Sequence, residues 1–237
     1  MAKVERSPER REDALSRERI VGAAIELLDA AGEPGLTFRA LATRLATGAG
    51  ALYWHIANKQ ELLIAATDAI VVRALAEVHV TASPQRAIRR IALGVFDAID
   101  QHPWLGAQLS RAPWEASTLQ IFEQIGRQVQ ALGARRGAEL TAATALVSYI
   151  IGVSVQNSAQ GRKVEPGTER SAYLEAEAER WHALDARAYP FTRSVATKLA
   201  KHDDRLEYLA GIGFFLAGIS APRRAARTRV RQSRHRG

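Results

Sequence analysis

The sequence predicts an all-α protein, on three observations. Apolar residues recur at three- and four-residue intervals through most of the chain, the spacing that gathers them on one face of a helix. No run of alternating β-branched residues, the mark of a half-buried strand, appears. The breaks between apolar segments carry helix start and stop residues: Ser16, Thr37 and Asn58 at openings, and Gly32, Pro34-Gly35, His102-Pro103 and Tyr189-Pro190 at ends. No stretch repeats at a fixed period. The expected organisation is an arm at 1–14, a three-helix unit with a connecting helix at 15–80, a larger helical unit at 81–221 and a tail at 222–237.

The arm is polar with mixed charge; Arg6, Arg10 and Arg11 suit either a phosphate or plain solvent. The first helix starts at Ser16, with Leu15 and Ile20 as a hydrophobic staple. Ile20, Ala24, Leu27, Leu28 and Ala31 form its stripe, and Gly32 is placed to end it in the left-handed conformation. Thr37 caps the second helix, stapled by Leu36 and Leu41, and Phe38, Leu41, Ala42 and Leu45 share its inner face. Gly48 and Gly50 make a permissive turn, after which Leu52 and Ile56 anchor a third, short helix. Asn58 and Glu61 have capping-box spacing and start a helix at Lys59 that runs to about residue 79. Tyr53, Trp54 and His55 therefore sit on a helix too short and too polar to be core throughout. Helix, tight turn and short exposed helix is the arrangement that places a second helix in the DNA major groove.

Beyond a break at Thr81-Ala82-Ser83-Pro84, helices are expected at 84–101, 103–110 and 113–132, the last with Ile121, Phe122, Ile125 and Val129 facing inward. Gly133 and Gly137 bracket a basic turn. Residues 140–161 carry no charge, which raises a membrane span. Thr141, Thr144, Ser148, Ser154, Gln156, Asn157 and Ser158 make the segment too polar for lipid, so a buried bundle helix is expected and no membrane partner. Residues 206–219 read the same way, and two such helices exceed the needs of one small core. A loop at 161–167, a polar amphipathic helix at 171–188 and a short helix to 200 lie between them. The arginine-rich tail reads as disordered.

Composition narrows the function classes. The 237 residues are 47% hydrophobic and 24% charged, ordinary for a globular chain long enough to build a core. The absence of cysteine removes disulfides, thiolate metal sites and thiol nucleophiles, and suits a reducing cytoplasm. The N-terminus is charged, with no apolar run of the signal-peptide kind. The formal charge of +8 comes mostly from seven arginines after Glu207, without which 26 basic residues face 25 acidic ones. The first 60 residues carry nine basic and eight acidic side chains. Any attraction to phosphate must therefore be arranged locally.

Leu36-Thr37-x-Arg39-x-Leu41-Ala42, Leu52-Tyr53-Trp54-His55, Asn58-Lys59 and Leu62-Leu63 stand within 28 residues. At these positions the chain resembles the TetR family of bacterial repressors, most closely the tetracycline repressor branch. The resemblance implies a homodimeric, ligand-responsive repressor that binds a near-palindromic operator. It implies that Arg39 reaches a base or phosphate, that Tyr53, His55 and Lys59 meet phosphates, and that Thr37 donates there as well. Tyr53 is also open to packing, and Trp54 equally to surface packing and groove contact. The chain departs from the pattern at Gly48, Ala49, Gly50 and Ala51, which offer few side chains for base edges. Ala51 against a thymine methyl, or DNA shape, would have to compensate.

Residues 84–220 resemble the family's effector domain less specifically. Trp104, Gln108, Trp114, Phe122, Tyr149, Gln156, Asn157 and Tyr173 are its candidate lining residues, though each taken alone reads more readily as core. The positions where the tetracycline repressor has magnesium-site residues hold Gln108 or Leu109, and Gln156, so a magnesium–tetracycline effector is not expected. His102, beside Pro103, reads as a helix terminus. The six histidines show no ligand spacing, and no nucleophile elbow, P-loop or paired-histidine motif appears. No cofactor, metal or catalytic residue is expected. A helical interaction protein without specific DNA binding, and more remotely an enzyme with an unrecognised helical site, remain the alternatives.

Overall fold

The computed structural model describes residues 15–76, 83–111, 115–161 and 170–220. Eleven α-helices and no strand occur among them, as the apolar spacing requires. α1 (Arg17–Gly35), α2 (Phe38–Arg44) and α3 (Ala49–Tyr53) build the N-terminal unit, and α4 (Lys59–Leu75) leads out of it. α5 (Pro84–Gln101), α6 (Pro103–Arg111), α7 (Ala116–Ala131) and α8 (Glu139–Gly161) follow, then α9 (Arg170–Ala183), α10 (Pro190–Leu199) and α11 (Asp204–Ser220). The expected arm, the far end of the connecting helix, Pro113, Trp114, the loop after Gly161 and the arginine-rich tail lie outside the described residues.

Local capping sets the helix starts. The Ser16 hydroxyl accepts from Arg19 N–H at 3.2 Å, Thr37 from Ala40 N–H at 3.1 Å and the Asn58 amide oxygen from Glu61 N–H at 2.9 Å. Each satisfies one of the amides that an opening helical turn leaves without a partner. Gly32 takes the expected positive φ (64°), but its ψ of −170° is extended. The helix therefore kinks at Gly32 and adds a turn to Gly35, with Pro34 inside it. Proline is tolerated there because the kink already removes the backbone acceptor its missing N–H would need.

The core of the N-terminal unit is Ile20, Ala24, Leu28, Leu36, Leu41, Leu52 and Ile56, all at 2% exposure or less. α5 runs through the second unit, burying Ile88, Ile91 and Ile99 against α4, α7 and α8. Where α5 crosses α4, Gly94 lies directly on the Ala74 carbonyl, closer than any side chain would permit.

The uncharged segment expected as a bundle helix is α8, which buries one face and leaves the other open on the single chain. The helix is long and apolar enough to cross a membrane by length and composition. Leu146, Val147, Ile150, Ile151 and Ser154 pack inward, while Leu140, Thr144, Ser148, Gly152 and Gln156 are exposed. α11 divides similarly. Its Tyr208, Ile212 and Leu216 are buried, and Leu206 and Phe214 stand out at 66% and 80% exposure. Burial pushes the Tyr208 phenol above its ordinary range, so it stays a donor, to the Ala92 carbonyl at 2.9 Å. α9 and α10 pack on each other, burying Leu174, Ala178 and Ala196 apart from the main core. An Arg170–Asp204 ion pair ties α9 to α11.

Candidate nucleic-acid interface and effector region

Buried Leu41, Leu52 and Ile56 hold α2 and the segment around α3 from behind. Thr37, Arg39, Gly48, Ala49, Tyr53 and Trp54 are exposed, and Ala51, His55 and Lys59 are half-buried. Trp54 is the most open large apolar side chain among the described residues, at 90%. Tyr53 lies flat on Phe38, ring centroids 4.5 Å apart and 4° from parallel, yet keeps 57% of its surface free. Packing and outward presentation are thus both met in one residue. α3 has no side-chain cap at Gly48, and a Cβ at Gly48 or Gly50 would meet nothing within 4 Å. Neither glycine is demanded by internal packing.

Polar contacts over long sequence distances fix this surface. Arg17 donates to the His55 carbonyl at 3.1 Å and to Glu61 at 2.8 Å, joining α1 to the end of the reading segment and the start of α4. Glu61 in turn accepts from Ala57 N–H at 2.9 Å. The expected capping box thus closes on Ala57, one residue before the cap. Arg44 Nε donates to Glu26 at 2.6 Å, tying α2 to α1. Lys59, expected to meet phosphate, donates from its ammonium to the Glu33 carbonyl at 2.6 Å, a favourable place for a cation at the end of α1. Spacing reveals the Glu61 cap, but it carries no sign of Arg17 or Glu26 as positioning residues.

The Ala57 N–H, followed by Arg17, holds the Glu61 carboxyl below its ordinary value. A depressed carboxylate contributes stability that is complete above the unfolded value and lost as pH falls through the folded one. Glu61→Gln is therefore expected to melt lower than the parent at neutral pH. That gap should close as pH falls below about 4. Melting curves between pH 7 and pH 3 check this; a gap independent of pH counts against the contact.

A second polar group joins α1 to α6. Asp29 accepts from Trp104 Nε1 at 2.7 Å and pairs with His102 Nδ1 at 2.8 Å. Glu33 accepts from Arg111 at 2.8 Å and from Gln108 at 3.2 Å. The Arg111 hydrogen bond is the main cause of a lowered Glu33 carboxyl pKa. His102 is a helix terminus, as expected, and also a contact between the two units.

The structure does not gather the candidate lining residues into one cavity. Trp104 and Gln108 line a shared groove of about 400 Å³ against Asp29 and Glu33. Tyr149 instead stacks on Tyr208, with its hydroxyl on the Tyr208 carbonyl at 3.1 Å. Gly211 admits the ring, since any Cβ there would collide with it. Phe122 is half-buried against the main core, Gln156 is exposed, and Asn157 and Tyr173 are half-buried on α8 and α9. Trp114 lies outside the described residues. No group of three histidine or acidic side chains suited to a metal occurs among the described residues.

The family profile "Bacterial regulatory proteins, tetR family" matches residues 20–66, from α1 into α4. An HTH-type transcriptional regulator of Saccharopolyspora erythraea is 33% identical over 162 residues, 68% of each chain. The chain belongs to the TetR family. A solved TetR regulator of Streptomyces coelicolor, SCO7222, is similar at 51% identity and a TM-score of 0.80, over 87% of this chain and 98% of that one. The class D tetracycline repressor of Escherichia coli is 46% identical over 65 residues, 27% of this chain and 28% of its own. ActR of Streptomyces coelicolor, solved in complex with actinorhodin, shares the fold at 22% identity and a TM-score of 0.68, over 87% of this chain and 97% of that one. This TetR-family protein is a DNA-binding transcriptional regulator with an N-terminal helix-turn-helix unit and a helical C-terminal domain.

Proposed function

We propose that this regulator binds a near-palindromic operator as a homodimer and that a small molecule held within residues 81–221 releases it. The observation that carries the reading is the surface of α2 and α3. Arg39, Gly48, Ala49, Tyr53 and Trp54 are open on it, while Leu41 and Leu52 anchor it from beneath. In this reading Arg39 supplies the base or phosphate contact. Thr37, Tyr53 and His55 position the backbone, and Trp54 contacts the groove wall. Gly48, Ala49 and Ala51 let the helix approach closely, and Lys59 acts by holding α1 to α4. Gly50, inside α3, costs about 1 kcal/mol relative to alanine, and Gly48 caps the helix without a side chain, so DNA orders α3. Equal amide protection in the free and bound protein would count against that ordering.

The dimer reading rests on the outer faces of α8 and α11, which carry Leu140, Thr144, Ser148 and Gly152, and Leu206, Ala210, Phe214 and Ala217. An uncharged face this size on one chain is suited to its own two-fold copy, with the reading helices about 34–36 Å apart. Phe214→Glu is expected to give a folded monomer, because the dimer would bury two facing carboxylates. Sedimentation velocity checks it, and an unchanged species would remove α11 from the interface. The Asp29 and Glu33 contacts with α6 offer the mechanical link. A ligand that prefers the conformation ill-suited to DNA weakens operator binding, and operator weakens ligand binding equally. ActR, which was solved with actinorhodin, supports a small-molecule effector. A DNA-binding regulator of this kind works in the cytoplasm.

Selection of bound duplexes from a random pool, at fixed salt and with and without the residues after Pro222, tests the reading. Enrichment of a near-palindrome supports it. Loss of all enrichment from a folded dimer favours the interaction-protein alternative, to which the small side chains of Gly48 to Ala51 point.

A further inference from the structure

Arg17 is the first residue of α1, where the positive end of a helix disfavours a cation. Ser16 already caps that end, and Glu18 supplies the acid suited to a first turn. α1 itself gains nothing from an arginine here; the partners of Arg17 lie on other elements. One guanidinium nitrogen donates to the His55 carbonyl at 3.1 Å and to the Glu61 carboxylate at 2.8 Å. The other Glu61 oxygen accepts from Ala57 N–H at 2.9 Å. The Leu52 carbonyl takes the His55 and Ile56 amides, each at 3.0 Å. Residues 55–57, the exit of the reading segment, are thus held by one continuous set of bonds to α3, α1 and α4. The entry is built differently. Ala46 takes a φ of 50°, a left-handed position where a Cβ is disfavoured. Its amide and that of Thr47 close α2 on the Thr43 and Ala42 carbonyls. Gly48 then opens α3 with no side-chain cap, and Gly50 lies inside it.

We propose that Arg17 is a positioning residue for DNA reading: it clamps the exit of the reading segment, so that only the Gly48 end is left for DNA to order. A segment fixed at one end has less freedom to lose on binding than one loose at both. Arg17 therefore adds to affinity by preorganisation and not by touching DNA. The exposed Tyr53 and Trp54 stand immediately before the clamped exit, so their placement follows from how it is held. The inference rests on the reading segment being the surface that meets DNA.

The test is Arg17→Met in the full-length chain, which keeps an unbranched stem and removes the charge and its donors. Amide exchange is read first, on the free protein. The His55, Ile56 and Ala57 amides are expected to exchange roughly three- to ten-fold faster than in the parent, while those of Ala24 and Leu28 inside α1 do not change. Affinity for the duplex enriched from the random pool falls by a similar factor, with its salt dependence unchanged because no phosphate contact is lost. Arg17→Met combined with Glu61→Ala costs little more than the larger single loss, since both variants break the same set of bonds. Unchanged exchange at the three amides overturns the proposal, and so does faster exchange spread evenly through α1, the mark of a role in stability alone. Additive losses in the double variant count against it equally. A salt dependence reduced by about one counterion would place Arg17 on a phosphate and overturn it too. If the pool enriches no duplex the operator reading fails, and exchange in the free protein still decides for or against the clamp.

Discussion

Gly94→Ala lowers the melting temperature of the full chain by roughly 2–12 °C. The cause is backbone contact: a methyl group at Gly94 would press on the Ala74 carbonyl oxygen, with the carbonyl carbon only 3.2 Å away. Ala74 belongs to a helix, so its carbonyl cannot rotate aside as a flexible side chain would. α4 and α5 must separate instead, along a seam that also buries Ile70, Ile91 and Val95. Overpacking of this kind costs about 1–3 kcal/mol, and a chain of this size loses roughly 2–4 °C per kcal/mol. Gly126→Ala is the control. A Cβ there meets nothing within 4 Å, so the change is expected to raise the melting temperature through helix propensity, by up to about 1 kcal/mol. Calorimetry on both variants checks the pair. An unchanged or higher melting temperature for Gly94→Ala would mean that α4 and α5 do not touch there. Because α4 joins the reading unit to the C-terminal domain, the same variant is a direct probe of how that crossing sets the position of the head.

Arg39→Ala is expected to cost the regulator most of its operator affinity while leaving the fold and the dimer alone. Arg39 is exposed in the first turn of α2, and its removal disturbs none of the buried anchors. If it reads guanine, the loss is about 1–3 kcal/mol, roughly 5- to 150-fold, and falls on one position of the operator. If it meets a phosphate, binding weakens evenly across sequences and the salt dependence drops by about one counterion. Affinity measured at three salt concentrations, on the selected operator and on single-base variants of it, separates the two. Unchanged affinity would remove Arg39 from the interface and shift the weight to Tyr53, Trp54 and DNA shape. The contrast with Gly94 is instructive: one substitution acts through the fold and spares the surface, the other does the reverse.

What the sequence determined by itself lies within a few residues of its cause. Ser16, Thr37 and Asn58 cap helices by accepting amides three positions ahead. The stripes of α1, α5 and α7 follow from spacing, because every third or fourth residue shares a helix face. The reading unit was legible for the same reason: caps, staple, turn and anchors stand within 28 consecutive residues. Tertiary structure decided what distant residues do. Arg17 meets His55 and Glu61 across 38 and 44 residues, and Asp29 meets Trp104 across 75. Lys59 bonds the Glu33 carbonyl across 26 residues, and Tyr149 bonds the Tyr208 carbonyl across 59, in the core role that was its other reading. The Arg205–Asp97 pair, 108 residues apart, exists only because α5 and α11 converge. Such pairings depend on how helices cross, and the crossing is set by packed surfaces such as Gly94 on Ala74, which leave no trace in local spacing.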